Sequence, residues 1–376
     1  MFENLSLFAL QQYWWVLVSI LAALFVFLTF VQGGQTLLYS VGKTEGEKSI
    51  ILNTLGRKWE FTFTTLVTFG GAFFASFPLF YATSFGGAYW VWLAILFAFI
   101  IQAVAYEYRK KPANLLGAKT FEIFLVINGL LGTILVGTAV GTFFNGAQFS
   151  LNDMNQVDWQ TAFRGLEAVL TFHNVALGLT VFFLARVLGS LYFIFTVDHE
   201  AIVARSKKQL LYNTIPFLVF FLYFVVALLL KEGFAVNPET GEVFLEKFKY
   251  LHNILQMPFN SLILLVGVVG VLWGIISTLF MNSSKGFWYT GSGTVFTVFA
   301  LFLLAGFNNT AFYPSIYDLQ SSLTIQNASS SKFTLVAMSY VSLMIPFVLA
   351  YIVYFWRAMN RKKITQEELQ GESHTY

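Results

Sequence analysis

The chain has 376 residues, of which 57% are hydrophobic, 19% aromatic and only 11% charged. A soluble domain carries about 25% charged residues, so this composition excludes a water-soluble enzyme and indicates a polytopic membrane protein. The net charge of +3 is too small, and too scattered between apolar runs, to indicate a nucleic-acid partner. The absence of cysteine removes disulfides, thiolate chemistry and thiolate-held metal clusters.

Nine apolar runs predict an all-α fold of about nine transmembrane helices. They cover approximately residues 14–40, 61–82, 88–107, 120–144, 170–197, 210–230, 259–281, 287–308 and 333–356. The N-terminus has no basic region and no small-residue cleavage site, so the first run reads as a retained span. Pro78 and Pro216 fall inside runs, where neighbouring helices must satisfy the freed backbone groups. Gly267, Gly270 and Gly274 recur at helical spacing and read as a close-packing face. The spacing allows two four-helix bundles, 1–146 and 147–311, followed by 312–376 as a peripheral ninth helix and tail. Connections at about 145–169 and 231–258 are longer, and Asn237-Pro238-Glu239-Thr240-Gly241 marks a turn in a small exposed excursion.

The basic residues orient the chain. With the N-terminus outside, only Arg164, Lys231, Lys247, Lys249 and Lys332 lie on the outer side, and Arg186 lies within a span. All other Lys and Arg fall on the inner side, so the positive-inside rule places the C-terminus in the cytoplasm.

Few residues can carry chemistry. Of four histidines, only His173 sits at the edge of a span, which is too few for a multi-haem core. No P-loop, dinucleotide fingerprint or H-E-x-x-H motif occurs. Three acids, Glu60, Glu107 and Glu122, gather at the inner membrane face and form a set able to pass protons inward by carboxylate and water relay. The plainer alternative is interfacial anchoring, with Glu60 favoured by a helix N-terminus and Glu107 paired to a basic neighbour. Arg186 must face the bundle interior, a lipid headgroup or a partner subunit. Trp14-Trp15, Trp90, Trp92, Trp288 and Trp356 read as an aromatic belt.

Several segments resemble one known family. They are Tyr13-Trp14-Trp15; Trp59-Glu60 leading to Gly70-Gly71-Ala72-Phe73-Phe74-Ala75-Ser76-Phe77-Pro78 and Tyr81; Tyr106-Glu107-Tyr108-Arg109; and Gly189, Glu200 and Arg205. The most specific runs from Ser322-Leu323-Thr324 through Asn327-Ala328-Ser329-Ser330-Ser331 to Thr334-Leu335, and the tail Ile364-Thr365-Gln366-Glu367-Glu368 with Ser373-His374-Thr375-Tyr376 agrees. Together they resemble subunit II of the cytochrome bd quinol oxidases, from end to end and least in the middle third.

The resemblance implies two four-helix bundles plus a peripheral helix, in the bacterial cytoplasmic membrane. It implies a partner, the haem-bearing subunit I, which holds haem b and haem d and reduces dioxygen to water with electrons from the quinol pool. This chain would then bind no haem, support its partner among membrane lipid, and supply protons through Glu60. A one-helix accessory subunit and a structural quinone fall within the same resemblance. The chain also departs from the family: Thr29-Phe30-Val31-Gln32 replaces an Asp-Gly-Phe-Asp pattern, Glu60 replaces Asp, Thr62-Phe63-Thr64-Thr65 replaces the usual continuation after it, and Gln102 stands where an Arg is expected. The rival function class is a secondary transporter built from two bundles around a midplane site; its mid-span charge would be Arg186 alone, where matched polar positions in both halves are expected.

Overall fold

The computed structural model describes residues 2–111, 114–360 and 363–364; the tail motif beyond Ile364 lies outside the described residues. The first span is α1 (Leu7–Leu28), capped by Ser6, whose Oγ accepts from the Ala9 N–H at 3.1 Å. It steps at Thr29 into α2 (Phe30–Thr36) and the short α3 (Leu38–Val41). Next, α4 (Glu45–Gly56) starts on a reciprocal cap: Thr44 accepts from the Glu47 N–H while Glu47 accepts from the Thr44 N–H. It leads into α5 (Trp59–Ser76).

At Phe77 the chain turns by 119° into α6 (Pro78–Phe80) and a π-helical turn, Tyr81–Gly87. Proline supplies no N–H and forces the preceding residue out of the helical region, and Phe77 has ψ of 65°. Among the described residues, eight helical runs are long and apolar enough to cross a membrane outright, and this bent segment, taken as one span, makes the ninth. That agrees with the nine predicted runs.

The remaining spans are α7 (Tyr89–Tyr108); α8 (Ala118–Ile127), continued through a π-turn, Asn128–Gly132, into α9 (Thr133–Asn145); α10 (Phe172–Thr196); and α11 (Glu200–Leu230). Between α9 and α10 lies a hairpin of β1 (Phe149–Leu151) and β2 (Val157–Trp159), with Ser150 opposite Asp158. After α11 come β3 (Glu232–Val236) and β4 (Val243–Lys247), paired antiparallel with Phe234 opposite Leu245. Then follow α12 (Lys249–Gln256), α13 (Pro258–Phe280), α14 (Gly286–Gly306), and a final span built from α15 (Lys332–Ser342) and α16 (Ile345–Met359). The last span is largely exposed, as a peripheral helix must be.

Without a hydrophobic drive between helices in lipid, close backbone approach carries the packing. A Cβ at Gly33 would sit 1.9 Å from the Ala185 carbonyl oxygen, and one at Gly189 would sit 2.6 Å from the Gly34 nitrogen, so α2 and α10 meet backbone to backbone. The predicted glycine face on α13 does the same against α14: a Cβ at Gly274 would lie 2.2 Å from Thr290 Oγ1.

Two sequence expectations change. The 231–258 excursion is only half exposed, because Phe234 and Ala235 pack under the 307–325 segment, where Ala311 donates its N–H to Phe234 O at 3.0 Å. That segment is itself a largely buried strap: Tyr313 and Leu323 exchange backbone hydrogen bonds, and the Phe312 ring packs at a tilt, 4.5 Å from Trp15. Trp15 is therefore a core anchor, not part of a belt; it is fully buried and donates to Phe302 O at 3.1 Å. Trp14 and Trp356 are buried as well.

Gly33→Ala is expected to destabilise the chain by at least ~1–3 kcal/mol through overpacking. Gly71→Ala, with nothing within 4 Å of the added methyl, is expected to be neutral or slightly stabilising. Thermal unfolding of the two purified variants side by side checks this, and equal stability would refute the packing account.

Candidate functional site: a buried polar column

The polar residues of the first half line up by helical spacing. On α7, Gln102, Tyr106 and Arg109 recur at four and three residues and so share one face, and all are buried. Gln32 and Gln35 on α2 are fully buried, and Tyr39 follows on α3. Asn128, in the π-turn after α8, is fully buried too. The π-turn lies against α2 because Gly129 has no side chain: a Cβ there would be 2.3 Å from the Gln32 carbonyl oxygen.

Ion pairs form the basic end of this column. Glu122 Oε1 accepts from Arg109 Nη2 at 2.7 Å and Nε at 3.1 Å, a fork on one oxygen. Its Oε2 lies 3.4 Å from Lys48 Nζ. Glu45 bridges the same two cations, 2.7 Å from Lys48 and 3.6 Å from Arg109. The Arg109 and Glu122 side chains are only 4% and 2% exposed, so removing either leaves the other buried with one more distant counter-charge, Glu45 or Lys48. Two carboxylates against two guanidinium or ammonium groups leave the cluster neutral. Nearby, Arg205 pairs with Glu47, tying the start of α11 to the cap of α4.

Deeper in, the groups become neutral. Gln35 Nε2 donates to Tyr106 Oη at 3.0 Å, and Tyr106 stacks on Trp59 with ring centroids 5.9 Å apart. Gln32 Nε2 reaches Gln102 Oε1 at 3.4 Å. Gln32 Oε1, Gln35 Oε1, Gln102 Nε2 and both side-chain polar atoms of Asn128 have no hydrogen-bond partner among the described residues. Buried polar atoms of native proteins are paired with protein or with ordered water, so these five are the groups of the column that bridging water would satisfy.

The sequence-derived candidates divide accordingly. Of the three acids, Glu122 enters the column; Glu60 and Glu107 stand on the exposed faces of α5 and α7 at the same end. Trp59 and Arg109 line the column. Arg186 lies elsewhere, in the bundle interior: its Nε donates to Asn213 Oδ1 at 2.6 Å and its Nη1 to Thr36 Oγ1 at 3.0 Å, with Phe182 5.5 Å from the guanidinium. Its hydrogen bonds run to neutral acceptors on α11 and α2. His173 packs its ring 4.7 Å from Phe224, and no cluster of three His, Cys, Asp or Glu able to hold a metal occurs among the described residues.

Reading acids alone missed Gln35, Lys48, Tyr106 and Asn128. The signal available was periodicity, Gln32-Gln35-Tyr39 and Gln102-Tyr106-Arg109 each defining one helix face. Two of the departures noted in the sequence, Gln32 and Gln102, prove to be neighbours: where an acid and an arginine were expected, two amides meet.

Comparison with known proteins accords with this architecture. Cytochrome bd-I ubiquinol oxidase subunit 2 of Escherichia coli (strain K12) is 25% identical over 96% of this chain and 97% of its own length. Probable cytochrome oxidase subunit 2 of Haemophilus influenzae is 27% identical over 92% and 93%, and cytochrome bd ubiquinol oxidase subunit 2 of Bacillus subtilis is 26% identical over 96% and 98%. A chain from the structure of bd oxidase from Geobacillus thermodenitrificans shares the fold with a TM-score of 0.64, at 12% identity, over 93% of this chain and 98% of that one. The family model for cytochrome bd terminal oxidase subunit II matches residues 10–359, which is nearly the whole chain with all nine spans, and this multi-pass membrane protein belongs to that family.

Proposed function

We propose that this chain is the haem-free subunit of a quinol:dioxygen oxidoreductase, supporting a subunit I that carries haem b and haem d, and that its polar column conducts protons inward from the cytoplasmic side. The basic residues support that orientation, since Arg57, Lys58, Arg109, Arg205 and Arg357 fall in connections or helix ends on the same side of the predicted spans. The observation that carries the proton role is the run of unpaired buried amides continuing inward from the Glu122–Arg109 pair.

The chemistry follows from the groups. Amides do not exchange protons readily, but they orient water by donating and accepting at once, and a file of such waters relays protons. Glu122, paired with Arg109 and Lys48, forms the polar mouth of the column. Glu60 and Glu107, exposed at the same end, are the acids placed to take up protons from bulk. Substituting an amide pair for a charged pair at Gln32 and Gln102 removes a desolvation cost of several kcal/mol while keeping the hydrogen-bonding positions. The transporter alternative has no comparable support: Arg186 is engaged by Thr36 and Asn213, and the relatives are oxidase subunits.

In an assembled complex, Gln102→Leu is expected to slow proton uptake during quinol-driven oxygen consumption severalfold while leaving the haem spectrum unchanged; unaltered uptake would remove the column from the path. Glu60→Gln is expected to lower proton uptake and oxygen consumption together, and if both stay at the level of the unmodified complex, Glu60 is structural. Glu122→Gln leaves the buried Arg109 with only the exposed Glu45 carboxylate, 3.6 Å away, among the described residues, and is expected to cost up to about 3 kcal/mol, read as a lowered unfolding temperature. Glu122→Gln with Arg109→Gln should restore a large part of that loss.

A further inference from the structure

Away from the column, a groove of about 720 Å³ opens between α16 and the body of the chain. Its walls are apolar, formed by Phe27 of α1, Phe61 of α5, Trp288 of α14 and Val353 and Trp356 of α16. At the basic end the lining changes to Arg357 and Asn360. Asn360 also borders a smaller cavity of about 160 Å³ lined by Arg57 and Lys363. Neither lining includes an Asp or Glu among the described residues.

Behind Trp356 lies Lys58, 1% exposed, with its Nζ 4.9 Å from the centre of the Trp356 ring. That ammonium has no hydrogen-bond partner among the described residues, and neither do the buried Trp356 Nε1 and Asn360 Nδ2. The three groups are all donors, and one is an amine whose pKa burial lowers to about 7, so an anion nearby favours its charged form. A ring face offsets only part of the cost of burying an ammonium. What completes the site is an anion with several acceptor oxygens.

We propose that the groove binds one anionic glycerophospholipid, its phosphate held at the basic end by Arg357 and Asn360, with the buried Lys58 amine behind the Trp356 ring adding to the positive charge there, and an acyl chain lying along Phe27, Phe61 and Val353. The groove opens toward the bilayer past Leu349 and Val353, both exposed, so a lipid enters sideways with its headgroup at the basic end. A neutral isoprenoid ligand such as a quinone matches the apolar walls but leaves the lysine charge unanswered. A zwitterionic lipid brings its own cation to a place that already has four. The bound lipid then fastens α16, otherwise weakly packed, to α1 and α5.

The purified oxidase complex, titrated with phosphatidylglycerol or with phosphatidylcholine of identical acyl chains and weighed by native mass spectrometry, tests this. One phosphatidylglycerol is expected to bind at least tenfold more tightly than phosphatidylcholine. Arg357→Gln should abolish most of that preference, Lys58→Met should weaken it, and Lys58→Arg should keep it. Arg357 is exposed, so its variant decides the matter if Lys58→Met does not assemble. Equal affinity for the two lipids, a preference that survives Arg357→Gln, or a quinone that phosphatidylglycerol does not displace would overturn the assignment.

Discussion

The contact on which the rest depends is the meeting of α2 and α10 without side chains between them. Gly33 touches the Ala185 backbone and Gly189 touches Gly34. Any larger residue at either glycine moves two helices that everything else is packed against, for α10 is the most buried span of the chain. Because α2 sits this deep, Thr36 reaches Arg186, Gln32 comes under the π-turn at Gly129, and Gln35 meets Tyr106. One close approach therefore places both the isolated guanidinium and the neutral half of the polar column. In a bilayer this is the available mechanism, since lipid tails solvate leucines as well as other leucines do.

Charge is distributed along the column in a graded way. Full charges sit at the basic end, where they occur as the Arg109–Glu122–Lys48–Glu45 cluster, and amides and a phenol follow further in. The order matches the cost of burial, which rises steeply for ions and modestly for amides with depth. The replacement of an expected acid and arginine by Gln32 and Gln102 extends that order: the two changes sit in contact, so a single one would have left an unpaired ion.

The spans were legible in the sequence because each is a composition signal about 20 residues long, and the α13 glycine face was legible because it repeats at helical spacing. The strap at 307–325 and its hairpins were not legible as buried structure, since their burial comes from the backbone pairing of Ala235 with Thr310 and Tyr313 with Leu323, between residues far apart or in no regular element. The column was half legible. Each of its faces shows as a periodicity of polar residues, but that the faces of α2, α7 and the π-turn converge is decided by glycine contacts at Gly33 and Gly129, which sequence spacing does not reveal. Glu60 stood out by its place beside Trp59, yet that indole turns inward to Tyr106 while the acid faces out.

The bend at Phe77–Pro78 sets a length. It cuts α5 to 18 residues, about 27 Å of helix, while α11 runs for 31 residues, about 47 Å. A hydrocarbon layer of about 30 Å matches the first and is far exceeded by the second. The excess of α11 lies in its opening turns, where Arg205, Lys207 and Lys208 belong among headgroups and water. The short helix thus acts as a gauge: a thicker bilayer can be met by uprighting the long spans but not by stretching this one, so the cost of mismatch falls on α5 and the bend that ends it.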